Sequence, residues 1–228
     1  EQEVRRLLDA HARADAFLDV PDEGIGGGED ADVPAGRCIG PFVVERELGR
    51  GGMGAVYLAV RDDGGFAQRV EAMGYDGLFV SDAVHDGLLL AGQALASTSR
   101  IRVGISVLVA FPRSPMNVAL AAWDLQKLSG GRFELGLGTQ VKQNIEDRYS
   151  ARWLPPAAGM KEYVGALRAI FRSFRNPREP LNFVGEHYRF TRLQPFFNPG
   201  PIEAPDVPIM LGAVGPKMLA LVGEMADG

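Results

Sequence analysis

The chain has 228 residues, 46% of them hydrophobic and 23% charged, with a net charge of −5. These are ordinary proportions for a soluble globular protein, and the absence of a dense Lys/Arg stretch argues against nucleic-acid binding, which needs a cationic surface to neutralise phosphates. No apolar run is long enough to span a bilayer and no secretory leader is visible, while the single cysteine, Cys38, excludes an intrachain disulfide and fits a reducing cytoplasm.

In chain order, Val4, Leu7, Leu8, Phe17 and Leu18 space an amphipathic helix within residues 1–20. Residues 21–39 mix Gly, Pro and acidic side chains and read as a flexible linker. Residues 42–48 and 55–60 read as strands flanking a Gly-rich turn. A helix is expected over 66–73, with Gly74 to end it. Strands then alternate with helices: strands over 77–81, 101–110, 132–137 and 207–214, helices over 88–96, 115–128, 159–174 and 216–225, and a hairpin over 182–190 turning at Gly185. Such alternation, with strands apolar on both faces, predicts a parallel α/β sheet with right-handed crossovers.

The Gly-rich turn runs Gly49-Arg-Gly51-Gly-Met-Gly54-Ala-Val56-Tyr57. A dinucleotide fold needs a helix directly after such glycines, but Val56-Tyr57-Leu58 are strand formers. Residues 40–65 therefore resemble the Gly-rich hairpin of bacterial Ser/Thr protein kinases. Kinase chemistry needs a lysine on the next strand, a catalytic-loop Asp, and metal-binding Asp and Asn. No lysine precedes Lys127, and neither His-Arg-Asp nor Asp-Phe-Gly occurs. The hairpin is expected to have no catalytic role.

Residues 67–228, within a barrel domain expected over 66–228, carry a second resemblance. Its stretches are Ala67 to Asp82 (AQRVEAMGYDGLFVSD), Arg102 to Val107 (RVGISV), Leu128 to Thr139 (LSGGRFELGLGT), Pro195 to Pro199 (PFFNP) and Pro208 to Gly212 (PIMLG). Together they resemble the luciferase-like monooxygenase superfamily, in particular its oxidoreductases that use the deazaflavin coenzyme F420. The resemblance implies a TIM-type (β/α) barrel with its chemistry at the carboxyl ends of the strands. It implies hydride transfer between an organic small-molecule substrate and F420, with an FMN-dependent monooxygenase using oxygen as the near alternative.

Residue by residue, the resemblance puts Asp82 at a polar position ending the second barrel strand, near the ring. Many relatives carry His directly after this Ser-Asp pair; here Ala83 stands there and His85 follows two residues on. Asp82 and His85 are the candidates for handling a proton. Ser106 and Val107 match a site where relatives have a non-proline cis peptide behind the ring. Asn144 falls where relatives place a coenzyme-contacting amide, and Gly212, Ala213, Val214 and Gly215 match a phosphate-contacting turn. From the residues themselves, Gly138 and Thr139 end a strand, and the small residues at these strand ends let a flat ring approach the backbone. The helix start after Gly215 offers N–H groups to a phosphate.

Other features read as structure. Trp123 and Met116 have helical packing spacing, Arg168, Arg172 and Arg175 form a solvated helix edge, and no His/Cys/Asp cluster has metal-ligand spacing. A full barrel needs eight strands and roughly 250 residues, so a partial barrel is expected. Residues 55–60 are expected to pair parallel with residues 77–81 as a substitute first strand. An open sheet edge should remain, and with it association between copies of the chain.

Overall fold

The computed structural model describes residues 33–228 apart from 40, 52 and 53. The helix expected within residues 1–20, and most of the linker expected over 21–39, lie outside the described residues.

The first layer is a small antiparallel sheet. Strand β1 (Cys38–Ile39) pairs with β2 (Phe42–Gly51), which pairs with β3 (Gly54–Arg61) from Phe42↔Arg61 to Gly51↔Gly54. The strand–turn–strand expectation for the Gly-rich segment holds. The parallel pairing expected between residues 55–60 and 77–81 does not: β3 pairs only with β2, among the described residues. A tight hairpin closes a very short loop at little entropic cost, whereas parallel pairing must close a crossover.

Helix α1 (Asp63–Ala72) starts three residues earlier than expected because the Asp62 side chain accepts the Gly65 N–H at 2.8 Å. This capping bond satisfies a first-turn donor. Gly74, at φ +87°, ends the turn that follows.

The main sheet is parallel. It contains β4 (Gly77–Val80), β5 (Arg102–Ile105), β7 (Phe133–Gly138) and β10 (Ile209–Leu211), hydrogen-bonded in the order β10-β7-β5-β4, with β6 (Leu108–Val109) pairing β7 beyond β5. The run expected as one strand over 101–110 is thus two, broken at a cis peptide between Ser106 and Val107. The outer edge of β4 carries no strand among the described residues, and Phe79 on it is 56% exposed. A cavity of about 150 Å³ beside that edge is lined by Pro41, Phe66 and Phe79, among others.

Helices α2 (Gly87–Ser97), α3 (Pro115–Ser129) and α4 (Pro156–Arg175) cover the sheet, and α5 (Pro216–Met225) follows β10. Ser114 caps α3 ahead of Pro115, and Gly130 closes it at φ +62°, a left-handed conformation that costs glycine little. Val103, Ile105, Leu135, Leu137 and Ile209 of the sheet are fully buried against Leu95, Val118, Tyr163, Leu167 and Ile170 of the helices. Each such side chain contributes roughly 1.5–3 kcal/mol.

A short hairpin, β8 (Phe183–Val184) with β9 (Arg189–Phe190), packs on α4. Trp123 is core, as its spacing implies: it stacks on Phe171 and donates its indole N–H to the Gly200 carbonyl at 2.9 Å. No described helix is long and apolar enough to cross a membrane. The architecture is the α/β, parallel-stranded partial barrel expected from the alternation of elements.

Candidate active site

The chemistry-bearing residues gather at the carboxyl end of the main sheet. Past the end of β4, the Asp82 side chain is only 4% exposed. Its Oδ1 accepts from the Gly87 N–H at 3.0 Å and Arg113 Nη2 at 3.2 Å. Its Oδ2 accepts from the Val109 N–H at 3.0 Å and Arg113 Nη1 at 2.9 Å. A carboxylate has about four lone-pair positions, and the structure fills all of them. Arg113 also donates to the Val109 carbonyl at 3.0 Å and to Asp86 Oδ2 at 3.0 Å. Asp86 caps α2 by accepting the Leu88 and Leu89 N–H groups. Burial works against its charge, but the Arg113 hydrogen bond and the two N–H groups outweigh burial and hold its carboxyl below the ordinary range.

His85 lies on the exposed loop between these two aspartates. That loop is tied down from the far side, where Arg148 donates to the Ala83 carbonyl at 2.8 Å. Arg148 ends a π-helical turn, Asn144–Arg148, that begins at the half-buried Asn144. Such turns often mark functional sites. The Arg148 hydrogen bond joins the turn that begins at Asn144 to the loop that carries His85.

At the end of β5, the Ser106 N–H donates to the Val80 carbonyl at 2.8 Å. The cis peptide falls at Ser106–Val107, the position the resemblance implied. Val107 then lies across two other strand ends. A Cβ on Gly138 would collide with Val107 Cγ2, and one on Gly212 would lie 3.6 Å from Val107 Cγ1. Gly138 therefore has to be glycine for Val107 to sit where it does. The Gly212 N–H donates to the Leu137 carbonyl at 2.9 Å, and half-buried Thr139 follows Gly138. After Gly212 come Ala213, Val214 (98% exposed) and Gly215, which enters α5 with no side chain capping its first turn.

The structure thus brings Ser106, Val107, Gly138 and Gly212 together as one side-chain-poor wall, with Asp82 beneath the neighbouring loop. His187 is elsewhere. Its N–H, with those of Glu186 and Tyr188, donates to the Glu162 carboxylate on α4. Glu162, Glu186 and His187 form the one described group with ligand atoms within 4.8 Å of one another, but Glu162 is already spent on three backbone N–H groups. A cavity of about 470 Å³ bounded by Arg168, Arg172, Arg175 and Asp206 lies at the other end of the strands, before β10.

Arg113 and Arg148 were not expected at this site. Arg113 left one signal in the sequence: a cation in a strand–helix loop, at the sheet end that also carries Ser81-Asp82. Arg148 left none, because its partner is a backbone carbonyl 65 positions away.

A family model described as luciferase-like monooxygenase matches residues 42–228. The chain belongs to that family. An uncharacterized protein of Mycobacterium tuberculosis is 43% identical over 162 residues, 71% of this chain and 47% of its own length. The F420-dependent glucose-6-phosphate dehydrogenase of Nakamurella multipartita is 32% identical over 176 residues, 71% of this chain and 49% of its own. The chain spans about half the length of the curated relatives it matches.

Two solved structures share the fold. One is the coenzyme F420-dependent tetrahydromethanopterin reductase of Methanopyrus kandleri, with a TM-score of 0.59, 20% identity, and 73% of this chain and 50% of that one covered. The other is the oxygenating constituent of 3,6-diketocamphane monooxygenase from Pseudomonas putida in complex with FMN, with a TM-score of 0.57, 18% identity, and 71% and 49% covered. The luciferase-like match begins at Phe42 and so includes the Gly-rich hairpin.

Proposed function

We propose that this luciferase-like chain carries the ring-binding face of an F420-dependent oxidoreductase that transfers hydride between a small organic substrate and the deazaflavin. The observation that carries this reading is the wall formed by Val107 against Gly138 and Gly212. A flat tricyclic ring needs a broad surface free of long side chains, and the two glycines let the short Val107 side chain lie across both strand ends as such a surface. The F420-dependent relative at 32% identity supports the choice of coenzyme.

Ser106, Val107, Gly138 and Thr139 would hold the ring, and Asn144 would meet its polar edge. The turn from Gly212 to Gly215 would bind phosphate through N–H groups at the start of α5, with help from the helix dipole. When bound, the coenzyme supplies the hydride acceptor or donor. The protein's own contribution is to hold substrate against that face and to manage one proton. His85 is exposed on the loop and free to do so, whereas Asp82 is saturated by four donors. Copies of the chain are proposed to associate along the open β4 edge.

Titration with F420 and, separately, FMN, followed by ligand fluorescence, tests the cofactor reading. Saturable F420 binding supports it, FMN binding alone moves the chain to the monooxygenase alternative, and binding of neither removes it.

A further inference from the structure

We propose that Arg113 is a positioning residue that locks the two walls of the ring-binding face into one arrangement. The guanidinium contacts three segments at once. It reaches Asp82 past the end of β4, Asp86 at the cap of α2, and the Val109 carbonyl in β6, which follows the Ser106–Val107 turn. Asp82 completes the bracket by accepting the Gly87 and Val109 N–H groups. The His85 loop is therefore fixed at both of its ends, Asp82 and Asp86, by one cation. The strand that continues from Val107 is fixed by the same cation. Arg113 is itself held from behind, because Tyr163 on α4 donates its hydroxyl to the Arg113 carbonyl at 3.1 Å.

The geometry needs an arginine. Two donors go to the two oxygens of Asp82, and further N–H groups on the same two nitrogens reach Val109 and Asp86. A planar fork can serve four acceptors in fixed directions, whereas an ammonium offers three donors from one point. Asp82 accordingly acts through Arg113 and the two N–H groups. To exchange a proton it would have to break the bracket.

The test uses the whole chain and two variants, Arg113→Lys and Asp82→Asn. Amide hydrogen exchange is followed by NMR, and F420 and FMN affinity by fluorescence. In Arg113→Lys the Gly87 and Val109 amides should exchange at least tenfold faster while the sheet amide of Leu135 is unchanged. Cofactor affinity should fall about tenfold. Asp82→Asn should show the same selective pattern, and it decides the matter if the lysine variant does not fold. Unchanged exchange at Gly87 and Val109 in a folded variant overturns the proposal. So does a uniform rise in exchange across all amides, which marks a general loss of stability. The affinity arm rests on the proposed function. If the unaltered chain binds neither cofactor, that function fails, while the exchange arm still decides the role of Arg113.

Discussion

Gly136 passes so close to Ile105 that a Cβ on it would collide with the Ile105 carbonyl oxygen. The neighbour is backbone rather than a side chain that can swing away, so Gly136→Ala forces β5 and β7 apart. The expected cost is about 2–3 kcal/mol, the upper part of the range for core overpacking. Gly212→Ala meets only ordinary contact with Val107 and should cost less than about 1 kcal/mol. Urea denaturation of both variants checks the contrast, and equal losses would refute the close-approach argument.

Acid should destabilise the fold through three carboxylates. Glu71 is held below its ordinary 4.5 by the N–H groups of Ile101 and Arg100. Burial pushes Glu162 upward, but the N–H groups of His187, Glu186 and Tyr188 outweigh it and leave it below 4.5. Asp86 lies below 3.8 for the reasons given above. Each folded value is depressed, so each contribution is fully present above the unfolded value and disappears as pH falls through the folded one. Melting temperature should be flat above about pH 5 and fall steadily below about pH 4.5. A profile that stays flat down to pH 3 would show that these N–H contacts are not made in solution.

Glu162→Ala should release the β8–β9 hairpin from α4. Three backbone donors lose their acceptor, for a cost of about 1–3 kcal/mol. Gly185→Ala should do much the same, since its Cβ would take the space of the Glu162 carboxylate. Proteolysis confined to residues 183–190 in both variants is the expected readout.

Phe79→Lys should weaken self-association. The side chain is exposed on an unpaired strand edge, where a lysine opposes edge-to-edge pairing. Sedimentation velocity at increasing concentration checks this, and identical profiles would place any association elsewhere.

His85→Asn should leave cofactor affinity within about twofold while lowering turnover roughly 10²–10⁴-fold, the usual weight of a positioned acid or base. Loss of affinity with turnover per bound coenzyme unchanged would make His85 a binding residue instead.

Most of the main sheet was legible in the sequence because its signals are local. The amphipathic period of α4 and Pro115 at the start of α3 each depend on neighbours in the chain. Gly212 and the Ser106–Val107 pair follow from the resemblance, and Gly138 from its place at a strand end. What stayed hidden depends on contacts between distant residues. The Arg113 bracket joins groups up to 31 positions apart, and Glu71 caps the entry to β5 from 30 positions away. Neither leaves a periodic trace. Nor does the pairing direction of β3, because a strand followed by a helix looks the same whether the strand pairs forward or backward.

The two tryptophans give the chain two separate optical reporters. Trp123 is sealed among Phe171 and Phe174 with its indole N–H bonded, so its emission should stay blue until the core itself melts. Trp153 is only partly buried, edge-on to Phe111, two residues past the end of β6. One spectrum can therefore follow events at the sheet's carboxyl end and the integrity of the interior as two colours.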